Sequence, residues 1–419
     1  MKRPALALCL ALAATGCQRS EAPADGRSGE ATAAGTAAGT NADGKPADGK
    51  PADGKTADGN AAGMNADGKA TGTNANATPA AAAAPTAGLP AADRVFLAPL
   101  DGKNNHLLGA DANALWAARL TAPDRAEIIW RITGPGVAQK LTYGDLGDGP
   151  RLYVAWGVGR GHLDAPLVVQ AIDPLTGKAT ELWRGQGERN EAAHLAIADV
   201  DRDGAPELDF VRYVSKYMVA PQSIERDGTT KTGEAIRMAS SWLRAEMDGD
   251  RGDETIIGRI YGDDRGLPGD LRIVTAKTTH MVPTDNGVKS LLYGTIGGEA
   301  SALYFADGWV ADYGKAAKAQ LKRVRIVDGK PEVEVIGHDP VDYTFFNLTA
   351  VDLDGDRLEE IVAQGGKRVV LFSLIDEKWQ MRPLTDLEPV LNTAVGRAPT
   401  GQTMLYIPAR PATNAIVLQ

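Results

Sequence analysis

Cysteine is nearly absent from this 419-residue chain: it occurs at Cys9 and Cys17 and nowhere later. Everything beyond Cys17 therefore lacks the means to form a disulfide or a thiolate metal site. Long apolar runs are missing too. The N-terminal stretch from Ala5 to Ala14 falls well short of the roughly 20 residues that a permanent membrane helix needs. Helical periodicity is scarce, and "GEAIRMASSWLRAEM" at Gly233 is the one candidate, readable equally as a pair of strands. The five histidines (His106, His162, His194, His280 and His338) show no metal-ligand spacing. Neither a Gly-x-Ser-x-Gly elbow nor a His-Glu-x-x-His helix is present. Positive charge is in deficit, with a net charge of −9 and a pI near 5.2. That balance argues against nucleic acid and against an electrostatic membrane patch.

What is present begins with an export pattern. Lys2 and Arg3 precede the short apolar stretch, as in a removable secretory signal. The following "ATGC", Ala14 to Cys17, resembles a bacterial lipobox, with Ala14 where that motif more often has Leu. The resemblance implies cleavage after residue 16, lipidation of Cys17 and a location in the bacterial cell envelope outside the cytoplasm, outer membrane first. Loss of Lys2 and Arg3 would take the net charge to −11. Residues 17–92 are low complexity: Ala-Asp-Gly-Lys or a near copy recurs at Ala24, Ala42, Ala47, Ala52, Ala57 and Ala66. Too few large apolar side chains are available there to form a core, so the segment reads as a disordered tether. A flexible chain of that length reaches roughly 50 Å.

Residues 93–419 have a different texture. Short β-rich runs such as "LYVAWGV", "LVVQAI" and "RVVLFSL" are broken every eight to twelve residues by Gly, Asp and Pro. That is the pattern of an all-β domain. The runs repeat. An Asp- or Gly-rich turn followed by an apolar strand recurs with first strand residues Leu152, Leu208, Thr255, Leu303, Ile361 and Leu405. Trp130 and Trp183 mark the same period of about 50 residues, and one step back from Leu152 reaches "RVFLAPL" near Val95. Four short strands per 50 residues predict a β-propeller of seven blades, with six as the alternative. The last unit is short, so closure by an N-terminal strand added to the final blade is expected.

Three of the turns place acids at positions 1, 3, 5 and 9. They are Asp199, Asp201, Asp203 and Glu207; Glu246, Asp248, Asp250 and Glu254; and Asp352, Asp354, Asp356 and Glu360. Calcium takes six to eight oxygens, mostly carboxylate with some backbone carbonyl. The carbonyls at position seven, of Ala205, Gly252 and Leu358, are candidates for the latter. An EF-hand is excluded, because position twelve is Phe210, Ile257 or Ala363 rather than Glu. The pattern Asp-x-Asp-x-Asp-Gly-x-x-Asp/Glu followed by a strand resembles the FG-GAP and VCBS repeats of integrin α-chain propellers and of many bacterial surface proteins. That resemblance, over about residues 140–410, implies up to three structural calcium ions, bound through positions 1, 3, 5, 7 and 9 on one rim. Two departures stand out: Arg251 and Arg357 occupy position six, and Gly249 and Gly355 at position four suggest a variant turn. Asp145 and Asp148 form a shortened copy, and the turns after Tyr293 and Ala394 lack the acids.

Other motifs carry less. "RGD" at Arg251 lies inside an acidic turn, "GVGRG" at Gly157 has no βαβ unit around it, and "AIDPLTGKATELW" at Ala171 reads as a hairpin. No catalytic constellation emerges. The expectation is a non-catalytic binding or scaffold propeller for a protein or glycan, attached to the membrane by lipid. A calcium-dependent hydrolase or lyase on the same scaffold is the alternative.

Overall fold

The computed structural model describes residues 88–102, 106–112, 114–157, 166–185, 191–215, 217–247, 253–262, 267–308, 319–387, 392–409 and 412–418. The export signal, Cys17 and the tether up to residue 87 lie outside them, whereas residues 88–92, expected to belong to the tether, are described and pack on the propeller. All regular structure among the described residues is β, arranged as seven antiparallel sheets in chain order. No helix is long and apolar enough to cross a membrane. The chain is a seven-bladed β-propeller. The candidate helix at Gly233 is a pair of strands, Ile236–Arg237 and Ala239–Ala245.

Each blade runs outward from its first strand. The inner strands are Arg94–Ala98, Val137–Asp145, Ala192–Ala198, Ala239–Ala245, Val288–Gly294, Asn347–Val351 and Ala394–Arg397. They neighbour one another around the ring, the first beside the last. Second strands, such as Pro150–Gly157, Ala302–Asp307 and Glu360–Gln364, are buried almost throughout. Neighbouring blades cover both of their faces, which is why they read as continuous apolar runs rather than alternating ones. The sequence landmarks Leu152, Leu208, Thr255, Leu303, Ile361 and Leu405 all fall on second strands, and Trp130 and Trp183 both fall on fourth strands. The step back to Val95 lands one strand early, on the inner strand of blade 1. The second strand there is His106–Asp111, because the first blade is spaced more tightly than the average period.

The core is distributed. Seven apolar clusters among the described residues each straddle two consecutive blades, from Trp130 and Trp156 between blades 1 and 2 to Leu97 and Tyr406 between blades 7 and 1. Each fully buried large side chain, such as Trp116, Trp156, Phe305 or Phe372, stabilises the ring by about 1.5–3 kcal/mol. Closure differs from the expectation. Blade 7 has three strands, and no N-terminal strand joins it among the described residues. Instead the segment before the first strand wedges between the end blades. Leu89 and Ala92 are buried with Met404 and Tyr406. The Thr413 hydroxyl donates to the Pro90 carbonyl at 2.8 Å, and the Trp116 indole donates to Ala91 at 3.3 Å. Side-chain packing and cross-ring hydrogen bonds do what a swapped strand was expected to do.

Candidate functional site

Two features occupy opposite ends of the propeller axis. The acidic turns join first to second strands and so lie at the C-terminal ends of the inner strands. In blade 3 the turn 199–206 leaves the ladder at Ala198 and rejoins it at Glu207, its register partner. In blade 6 the turn 352–359 joins Val351 to its partner Glu360 in the same way. The two turns share one hydrogen-bond frame. The position-one carboxylate accepts from the amide of position six (Gly204 to Asp199, 3.0 Å; Arg357 to Asp352, 3.2 Å). Position three accepts from five (Asp203 to Asp201, 3.2 Å; Asp356 to Asp354, 3.1 Å). Position five accepts from seven (Ala205 to Asp203 and Leu358 to Asp356, both 2.7 Å). Position nine reaches back to position two (Val200 to Glu207, 2.5 Å; Leu353 to Glu360, 2.9 Å).

The expected variant turn is not found. Both turns place positions four and six in the left-handed region: Arg202 at φ 67° and Gly204 at φ 93°, Gly355 at φ 86° and Arg357 at φ 77°. Each turn has one glycine for two such sites, at opposite positions, and an arginine bears the other. An L-residue there costs roughly 1–2 kcal/mol.

In blade 3, Asp199, Asp201, Asp203 and Glu207 bring carboxylate oxygens within 4.8 Å of one another. Asp199 Oδ1 and Glu207 Oε1 are buried and accept no hydrogen bond among the described residues. Burial, then the neighbouring acids Glu225, Asp201 and Asp199, push the Glu207 carboxyl up to about 7. Lys231 bonds Asp201 and Glu225, both at 2.8 Å, and holds Asp201 below its usual range. In blade 6 the gathered set is Asp352, Asp354 and Asp356. Glu360 is not within the same distance of all three. Burial followed by those three acids raises it to about 7. Arg397 of blade 7 lies 3.4 Å from Asp352. In blade 4, Asp248, Asp250 and Gly252 lie outside the described residues, as does most of the "RGD". Glu246 and Glu254 are described, and Glu254 accepts from the Met247 amide at 2.6 Å, repeating the position-nine role. In blade 2, Asp145 accepts from the amides of Gly147 and Gly149, and Asp148 pairs with Arg226. The segment at Ala171 is a hairpin whose Asp173 accepts from Leu175 and Thr176.

At the other end, the N-terminal halves of the inner strands enclose an axial cavity of about 830 Å³. Sequence reasoning did not anticipate it. Arg94, Lys140 and Lys289 line it from blades 1, 2 and 5, with Glu191 and His194 from blade 3. Four consecutive inner strands carry a one-residue bulge here, at Gln139, Ala193, Ser240 and Lys289. A bulge bends its strand and re-aims side chains. Lys140 is reached by solvent through the channel, yet protein surrounds it. That enclosure, followed by the charges of Arg94 and Lys289, lowers its ammonium to about 8. His194 is buried and held down to about 4, chiefly by burial, with Lys140 and Arg244 adding to the effect and Asp209 opposing it. Its Nε2 lies 3.8 Å from Asp209, which pairs with Arg244 at 2.8 Å. The legible signal was a basic residue inside each of three apolar runs, "RVFLA", "VAQKL" and "VKSLL", which only the ring brings together.

No family model matches the chain, and no curated protein matches it. Among solved structures it is similar to the Pseudomonas aeruginosa periplasmic gluconolactonase PpgL, with 14% identity and a TM-score of 0.47 over 75% of this chain and 95% of that chain. No chemistry is transferred from a likeness of that strength.

Proposed function

We propose that this chain is a lipid-anchored protein of the bacterial cell envelope whose FG-GAP/VCBS-like propeller is stiffened by calcium on one rim and serves as a non-catalytic binding module for a protein or glycan. Residues 1–16 are the signal, Cys17 is the lipidated anchor, the chain from there to residue 87 is the tether, and the propeller begins with the wedge at residues 88–92. The observation that carries the calcium reading is the blade 3 turn, where four carboxylates converge and two buried oxygens have no donor. Buried acceptors are ordinarily satisfied, and like charges at this spacing repel unless a cation joins them. Asp199, Asp201, Asp203 and Glu207 supply carboxylates and Ala205 a carbonyl. Asp352, Asp354, Asp356 and Leu358 form the second site, with Glu360 holding the turn. Glu246, Asp248, Asp250, Gly252 and Glu254 form the third. Bound calcium would supply positive charge and a fixed geometry rather than chemistry. The test is thermal unfolding of the full chain in calcium and in chelator. The midpoint is expected to rise with calcium, and an unmoved midpoint would refute the reading.

A hydrolase or lyase is the second reading, and His194 is the observation that favours it. It lies on the cavity wall with its Nε2 3.8 Å from Asp209, an imidazole beside a carboxylate as in general-base sites. Turnover of p-nitrophenyl esters or glycosides that disappears in His194→Gln would establish it.

A further inference from the structure

We propose that the axial cavity is a binding site for a small organic anion bearing two or more negative charges as carboxylate or phosphate. The inference goes beyond the calcium-rim reading and stands independently of it, since the two sites lie at opposite ends of the inner strands.

Three cations on three separate blades converge on one enclosed space, although the chain as a whole carries −9. A single carboxylate, Glu191, lines the cavity beside them among the described residues. Among the described residues Lys140 has no hydrogen bond or ion pair, and the charges that act on it are those of Arg94 and Lys289. An ammonium held beside two like charges costs stability, and a bound anion would offset that cost. Arg94 spends one Nη on the Ala138 carbonyl at 2.6 Å, which fixes the guanidinium while leaving further donors of its planar fork. The volume lies within the range of small-molecule sites, and a cleft of one sign with low-dielectric walls concentrates ions of the other. Elsewhere in the protein Lys322 pairs with Asp285 and Asp307, and Arg368 with Asp339. The bulge at Lys289 adds a residue to the inner strand at this level, as do three others around the ring. The bulged strands thus include those of Lys140 and Lys289, whereas the strand of Arg94 pairs without a bulge.

The experiment is isothermal titration of the full chain, in calcium and at constant ionic strength, with glucose 6-phosphate, succinate and neutral glucose. At least one dianion is expected to bind saturably and glucose is not. Lys140→Met or Lys289→Met is expected to weaken binding about tenfold or more. Lys140→Met is also expected to unfold at a higher temperature than the parent when no anion is present. Dianions that bind no better than glucose, or that bind both variants as well as the parent, would overturn the proposal. A Lys140→Met chain that fails to fold would do so as well, because the proposal requires this lysine to be a burden without its ligand. Failure of the calcium reading shows instead as an unmoved melting midpoint in the absence of any anion.

Discussion

At one end of the propeller axis, Asp199, Asp201, Asp203 and Glu207 crowd negative charge into nine consecutive residues. At the other, Arg94, Lys140 and Lys289 converge on a cavity. The acidic turn is assembled from neighbours in sequence. Its geometry is set by backbone amides donating to its own carboxylates, so it recurs in blade 6 with the same frame. The basic mouth is assembled from residues nearly 200 positions apart in the chain. It exists only because the inner strands form a ring. Local chemistry repeats with the repeat, whereas chemistry made by the ring belongs to the whole molecule once.

The comparison breaks most readily at the acidic end. Each calcium site occupied at a hundred times its dissociation constant adds about 2.7 kcal/mol. Asp199→Asn with Asp352→Asn in one chain is expected to abolish most of the calcium-induced rise in denaturation midpoint while leaving the calcium-free midpoint nearly unchanged. A rise equal to that of the parent would separate the acidic turns from calcium altogether.

The basic mouth should show itself in pH dependence. The folded value of about 4 for His194 lies below its ordinary value near 6.5. The unfolded chain therefore takes up the proton first as pH falls. The stabilisation is complete above about pH 6.5 and is lost down to about pH 4, by at most ~3 kcal/mol. Asp209, Lys140 and Arg244 are the charges that face it, from blades 3, 2 and 4. His194→Gln is expected to flatten that part of the stability profile, measured by urea unfolding between pH 4 and 7. An unchanged slope would mean that water reaches the imidazole.

Within the acidic end, Glu360 and Asp352 should separate. Glu360→Ala leaves the Leu353 amide without its acceptor and is expected to cost about 1–2 kcal/mol with or without calcium. A loss seen only in calcium would instead make Glu360 a ligand on a par with the aspartates. The smallest effect concerns the left-handed positions. Gly355→Ala is expected to destabilise by about 1 kcal/mol, and Arg357→Gly to stabilise by up to about 1 kcal/mol. If Arg357→Gly destabilised instead, the arginine side chain would be contributing a contact that outweighs its backbone strain.

The repeat, the strand texture and the acidic turns were legible because each depends on residues within a few positions of one another. Alternation, turn residues and carboxylates at 1, 3, 5 and 9 are local patterns, and the β-hairpin at Asp173 was readable for the same reason. The arginines at Arg202 and Arg357 were harder. Sequence suggested two kinds of turn, but the ladder on either side imposes one, and it forces an arginine into a left-handed conformation in each. Ring closure was misjudged because the N-terminal segment was expected to supply the strand that the three-stranded last blade lacks. The packing of Leu89 and Ala92 against Tyr406 supplies the missing contacts without one.

By itself, the sequence determined an all-β repeat of about 50 residues, turns with acids at positions 1, 3, 5 and 9, and a low-complexity N-terminal region unlike the rest of the chain. The tertiary structure decided that there are seven blades, how the first meets the last, and that Arg94, Lys140 and Lys289 share one cavity. The physical reason is that hydrogen-bonded turns and strand pairing are fixed by adjacent residues. A site on the axis requires inner strands far apart in sequence to converge, and no local pattern records that convergence.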